Sequence, residues 1–243
     1  MQSNYDKITA AIDRMQEAHY WLHLMQEHYH QADQFRWYLN VFLKAVKEIP
    51  QIVQMELQNT PEFTRWFKDR REELHSDPLI ALLGDNRDFI VHRGMLVPRS
   101  TGSIGITEGR GMKLGLTFSI HPLEDSDDGM DRYLQYLTEN KDFLGILMDD
   151  EDSLPCIHRE WKIPKIDREI LDVSAEAWKR TVSLLDEILR WLGEETVPEA
   201  KLDCLHSSQR VQFLVYDRAQ LKLKLAGLRK PSESSQNGRP AAT

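Results

Sequence analysis

Apolar residues recur at three- and four-residue steps along the first quarter of the chain, the period of an amphipathic helix. From Tyr5 to about Tyr29 the stripe is Ile8, Ile12, Met15, Leu22, Met25 and Tyr29. Gln31-Ala32-Asp33 interrupts it, with Asp33 as a natural N-cap for the next helix. Phe35, Leu39, Phe42, Val46, Ile49, Val53 and Leu57 carry that second helix, with a kink expected at Pro50, which has no amide proton for the carbonyl one turn back. Two long helices joined by so short a turn make an antiparallel hairpin. Thr60-Pro61-Glu62 opens a third helix, whose buried side is Phe63, Trp66, Phe67 and Leu74. Asp77-Pro78 opens a fourth, which runs to about Arg93 and stops at Gly94. Residues 1–94 are therefore expected to form an up-down four-helix bundle, with Trp37 and Trp66 among its core aromatics.

After Gly94 the period changes from helical to alternating. Met112, Leu114, Leu116, Phe118 and Ile120 alternate with Lys113, Gly115, Thr117 and Ser119, and Glu108-Gly109-Arg110-Gly111 supplies a hairpin turn from a preceding strand over 103–107. A helix follows from Asp128 to about Met148, then a strand from Cys156 to Ile163 ahead of Pro164. The cleanest helix of this half runs from a Ser174 cap to about Leu192, with Trp178, Val182, Leu185, Ile188, Leu189 and Leu192 on one face. Val211 to Tyr216 fits a strand or a helix. The fold class expected is mainly α, the four-helix bundle being followed by a smaller α+β module with a short antiparallel sheet over 95–226. Residues 227–243 form a polar, Pro- and Ser-containing tail that is disordered by composition.

Charge and cysteine content narrow the class. The net charge of −8 argues against coating of nucleic acid by bulk electrostatics. Between Arg87 and Lys113, however, Arg87, Arg93, Arg99, Arg110 and Lys113 outnumber Asp88 and Glu108. If a polyanion binds anywhere, it is expected to bind there. Cys156 and Cys204 are the only two cysteines, too few for a disulfide framework and too far apart for a zinc knuckle, so both are read as reduced structural residues. With no apolar run long enough for a bilayer and no signal-like N-terminus, a cytoplasmic protein without membrane contact is expected.

The fourth helix carries the main candidate for chemistry. Arg87 is followed by Asp88, by the apolar residues Phe89, Ile90 and Val91, and then by His92, all late in a helix that closes a helical bundle. This constellation resembles the HEPN superfamily, whose signature is an arginine, then Asn, Asp or His, then a histidine four to six residues after the arginine. The resemblance covers about residues 1–94 and extends from Phe35-Arg36-Trp37-Tyr38-Leu39-Asn40 to His92-Arg93-Gly94, similar to uncharacterised bacterial members. It implies a metal-independent endoribonuclease of toxin or defence type. His92 would handle protons while a 2′-hydroxyl attacks its own phosphate, and Arg87 would stabilise the phosphorane. Asp88 stands four residues before His92 and, with the helix C-terminus, favours its imidazolium. On a helical wheel Arg87 falls near the apolar stripe of Leu79, Leu83 and Ile90, whereas Asp88 and His92 face away. The resemblance supplies a homodimer cleft in which two copies of the motif would meet. It also implies RNA as a partner, and an antitoxin or regulatory protein as a further one. Arg93, Arg99, Arg110 and Lys113 would form the nucleic-acid-binding rim.

Two alternatives stand beside that reading. One is a catalytically inactive HEPN-like dimer that binds RNA or a protein through the same cleft. The other is a metal-binding bundle. His19, His23 and Glu27 are spaced four apart on one face of the first helix, so a metal site is geometrically possible. Such sites recruit ligands from several helices. The cluster is therefore read as a polar helix face; no metal ligand and no cofactor is assigned. His75, His121, His158 and His206 are isolated in sequence and receive no role.

Overall fold

The computed structural model describes residues 4–76, 79–81, 98–108, 111–118, 120–139, 154–162, 167–194 and 206–228. A 3-10 turn over Asn4–Ile8 leads into α1 (Thr9–Glu27), whose Ala11, Met15, Ala18, Leu22 and Met25 are buried. α2 (Ala32–Leu57) packs along α1 as the expected antiparallel hairpin. Asp33 does not cap α2. The Ala32 amide instead donates to Asp125 Oδ1 at 2.6 Å, and Asp33 lies in the first turn paired with Arg36. The cap thus comes from 93 residues away, which no local pattern reveals. α2 runs unbroken through Pro50. Trp37, expected in the core, is half exposed, because the buried face of α2 is centred on Phe35, Leu39, Phe42, Val46 and Ile49. α3 (Phe63–Ser76) buries Phe63 and Phe67 and stacks Trp66 partly against Trp191.

The expected strands form a four-stranded antiparallel sheet in the order β2-β1-β3-β4. β1 is Arg99–Glu108, β2 Gly111–Phe118, β3 Pro155–Lys162 and β4 Phe213–Val215. The ambiguous Val211 to Tyr216 stretch therefore resolves as an edge strand. Gly102 in β1 is required by a close approach: a Cβ there would lie 2.2 Å from Cδ1 of the buried Ile120. The sheet and two helices, α4 (Ser126–Glu139) and α6 (Arg218–Leu228), enclose a core of Ile104, Ile106, Ile120, Met130, Leu134, Leu137, Ile157, Tyr216, Leu221 and Leu225.

The long helix of the C-terminal half, α5 (Ile170–Leu192), belongs to the other core. Its Leu171, Trp178, Val182, Leu185, Ile188 and Leu189 pack with α1, α2, Phe63 and Phe67. The helical unit thus draws α5 from beyond the sheet, whereas of the fourth helix expected over 78–93 only residues 79–81 are described. α5 begins one turn before Ser174, because Glu169 caps it: Oε2 accepts the Leu171 and Asp172 amides at 2.6 and 3.3 Å. Ser174 is consequently buried inside the helix, and its hydroxyl has no hydrogen-bond partner among the described residues. Gly193, at φ +90°, ends α5 with its amide on the Arg190 carbonyl, a left-handed cap.

β3 joins the two cores. Ile157 lies in the sheet core and Trp161 in the helical one, where the indole N–H donates to the Tyr29 carbonyl at 2.8 Å. Between them sits Arg159, fully buried, its guanidinium 3.8 Å from the Trp161 ring centroid and its Nε donating to Ser100 Oγ at 3.0 Å. Burial lowers its pKa to about 10, so it remains charged at neutral pH. His30 completes the seam. Its Nε2 lies 2.7 Å from the Val211 carbonyl, which can only accept, so Nε2 carries the proton and Nδ1 accepts from Ser126 Oγ at 2.8 Å.

Candidate metal centre

His19 and His23 stand one helical turn apart on α1, so their rings rise side by side, with centroids 4.5 Å apart. The third ring comes from far along the chain. His206 packs edge-on against both, with centroid distances of 5.1 Å to His19 and 4.4 Å to His23, and its Nε2 lies 3.0 Å from His19 Nε2. One ring nitrogen from each of the three lies within 4.8 Å of the others. In a tetrahedral zinc site with Zn–N bonds of about 2.0–2.1 Å, two ligand nitrogens stand about 3.3 Å apart. The His19–His206 pair is already close to that edge length, and the His23 nitrogen lies within 4.8 Å of both.

The surroundings prepare the nitrogens. His206 Nδ1 faces Gln26 Oε1 at 3.1 Å; the amide oxygen can only accept, so Nδ1 carries the proton and Nε2 presents its lone pair to the centre. Burial, with His23, His19, Lys179 and Arg210 as further causes, lowers the His206 pKa to about 4, which keeps the ring neutral and able to ligate. His19 is held by stacking on Trp178 at 4.2 Å and 14°, and the Trp178 indole N–H donates to the Met15 carbonyl at 3.2 Å. His206 is buried, His19 half-buried and His23 exposed, so the centre closes against α5 and opens at His23. Glu27, the third member of the face read from sequence, is not in the group among the described residues.

The four-residue spacing read from the sequence puts His19 and His23 side by side on α1, as part of a polar helix face, without a third ring to join them. The missing one was His206, 187 residues from His19, and no spacing rule connects them. The remaining candidates fall elsewhere. Arg87, Asp88 and His92, together with Arg93 and Arg110, lie outside the described residues. Arg99 is exposed at the start of β1, while Lys113 lies in β2 beside the far end of β1, since Leu114 pairs with Ile106 and Met112 with Thr107. Seven to eight strand residues separate the two positions, roughly 25 Å, so they do not form one local patch. Cys156 is buried and free, with its thiol pKa pushed up to about 11 by burial, in keeping with a structural residue.

Residues 5–129 match the family model described as bacteriophage lambda protein ea47, which amounts to 125 of the 243 residues. The chain belongs to this family. The ea47 match holds α1 to α3, the β1-β2 hairpin and the start of α4, and so includes His19 and His23; α5 and His206 lie beyond it. Neither a curated protein nor a solved structure matches the chain. No helix among the described residues is long and apolar enough to cross a membrane.

Proposed function

We propose that this ea47-family protein binds a divalent transition-metal ion of the zinc class through His19, His23 and His206. The observation that carries the reading is the 3.0 Å approach of His206 Nε2 to His19 Nε2 beside His23, across 187 residues of chain. A hydrogen bond between two neutral imidazoles would account for two of the rings. The Gln26 contact serves either arrangement, since it leaves the inward nitrogen of His206 with its lone pair, whereas an ion would also engage the third ring, His23. Three imidazoles suit Zn²⁺, Cu²⁺ and Ni²⁺ better than Mg²⁺ or Ca²⁺, which take oxygen ligands. Reduced Cys156 fits a cytoplasmic location.

The test is metal titration of chelator-stripped protein. Zn²⁺ should bind one to one by calorimetry, and Co²⁺ should give visible absorption in the range of four- or five-coordinate sites. His23→Gln, on an exposed side chain, should cut affinity by more than about a hundredfold. Gln26→Leu should cut it by roughly ten- to a hundredfold, the usual cost of removing a hydrogen bond that orients a ligand. Sub-stoichiometric binding, or binding unaffected by His23→Gln, would rule the centre out.

RNA cleavage by Arg87 and His92 is a separate proposal that rests on sequence alone. The two separate cleanly under chelation: the HEPN-like chemistry survives EDTA and yields 2′,3′-cyclic phosphate ends, whereas the histidine centre is emptied.

A further inference from the structure

His206 opens a strap, residues 206–216, that crosses from the helical unit to the sheet. Its hold on the rest of the molecule is a series of polar contacts to different elements. His206 Nδ1–H donates to Gln26 Oε1 of α1 at 3.1 Å. The Ser208 amide and hydroxyl donate to the two oxygens of Asp172 in α5 at 2.8 and 2.7 Å. The Val211 carbonyl accepts from His30 Nε2 at 2.7 Å, and the Gln212 carbonyl accepts the Arg159 amide at 2.9 Å. β4 then pairs with Cys156, Ile157 and His158 of β3, and the Tyr216 amide donates to the Pro155 carbonyl at 2.9 Å.

Apolar burial holds this segment only in part: Val211 and Leu214 are partly buried against the helical and sheet cores. Phe213 and Val215 of β4 are 37% and 41% exposed, and the well-buried side chains sit at its two ends and at Ser208: His206 at 8%, Ser208 at 2% and Tyr216 at 4%. A three-residue edge strand held mainly by backbone bonds, with two of its three side chains exposed, belongs to the part of a fold that opens locally. The Tyr216 end is fixed in the sheet core, where its hydroxyl donates to Asp127 at 2.6 Å. Among the described residues, the His206 end is held by its ring's contacts with His19 and His23 and by the Gln26 bond rather than by a comparable apolar anchor.

We propose that the metal ion is the latch of this strap: occupancy of the histidine centre governs whether residues 206–216 stay docked across α1, α5 and β3, and hence whether β4 covers the edge of the sheet. The inference rests on the metal reading above and extends it to regulation. When the strap lifts, His206 leaves and the ion keeps two ligands from one helix turn, a far weaker site. Ion binding therefore suppresses opening by mass action, by a factor of one plus the ratio of free ion to its Kd. At a free ion concentration one hundred times Kd, opening falls about a hundredfold.

Hydrogen exchange of the full-length protein, stripped of metal and then supplied with ZnCl₂ alone, reads this directly. The amides of Ser208, Val211, Gln212 and Tyr216 should exchange about a hundredfold more slowly at saturating Zn²⁺, while those of α3 stay unchanged. His23→Gln, which alters α1 and leaves the strap intact, should abolish the response. Calorimetric Zn²⁺ binding with unchanged exchange over 206–216 would overturn the latch and leave the metal centre standing. Absence of Zn²⁺ binding would overturn both. A response that persists in His23→Gln would show that the ion acts from some other site and would also overturn the latch.

Discussion

Tyr29 has one phenolic proton and two neighbours placed to receive it. Its oxygen lies 2.8 Å from Glu169 Oε1 and 3.0 Å from the Arg159 carbonyl. A carbonyl can only accept, so with Glu169 ionised the single Tyr29 proton is shared between two acceptors, and protonation of Glu169 relieves that competition. The electrostatics agree: burial raises the Glu169 pKa to about 7 against the opposing pull of Tyr29 and the α5 amides, and the Tyr29 phenol is raised as well, by burial and then by Glu169. A carboxyl with a raised folded pKa binds its proton more tightly in the native state. Its stabilising contribution is complete below about pH 4.5 and is lost as the pH rises to about 7. His30, lowered to about 4 by burial, acts with the opposite sign: its contribution is complete above about pH 6.5 and is lost as the pH falls through about 4. Glu169→Gln isolates the first effect. Urea unfolding from pH 4.5 to 7.5 should show wild type falling relative to this variant as the pH rises, by at most about 3 kcal/mol. Parallel curves would mean that Glu169 is ionised throughout.

Most elements could be read from periodicity because each buries one face, and a one-faced element writes its period into the sequence. β3 was legible for that reason, as was the stripe of α5. Caps were less legible, because the groups that satisfied helix ends were not the nearest candidates. Asp33 and Ser174 are good caps by residue type, yet Asp125 and Glu169 supply the caps, the first from another part of the chain and the second by starting α5 a turn earlier. The close approach at Gly102 was equally hidden, since it depends on where Ile120 lies across the sheet. That approach is testable. Gly102→Ala should destabilise by about 1–3 kcal/mol, the usual cost of forcing an extra methyl into a packed core. Ile120→Val in the same chain should recover part of the loss, so that the two changes are not additive in thermal unfolding. Strict additivity would mean that Ile120 does not set the constraint.

For the whole molecule, long-range pairing was what the sequence could not display. A hydrophobic stripe shows that a face is covered but not which element covers it. α5 was legible as a helix, and its stripe fitted an accessory module as well as it fitted the bundle. In the structure its Trp178 donates to the Met15 carbonyl of α1, and Trp191 packs edge-on against Phe63 and stacks on Trp66, so α5 closes the core begun by α1 and α2. His206 was missed for the same reason: its chemistry was visible and its neighbours were not. The placement of α5 has a direct consequence for any attempt to isolate the N-terminal bundle. A fragment of residues 1–94 would expose the surfaces of Met15, Phe63 and their neighbours that α5 covers, while losing the apolar area of Leu171, Trp178, Val182, Leu185, Ile188 and Leu189. Removal of a single large core side chain costs about 3–5 kcal/mol, and total domain stability is about 5–15 kcal/mol, so loss of a whole helix face exceeds what the fragment can bear. The fragment is therefore expected to show helical far-ultraviolet dichroism without near-ultraviolet signal from its tryptophans, to unfold without a cooperative transition, and to regain both when mixed with the 95–243 fragment. Cooperative melting of 1–94 alone with an ordered tryptophan signal would show that α5 is dispensable to the core it completes here.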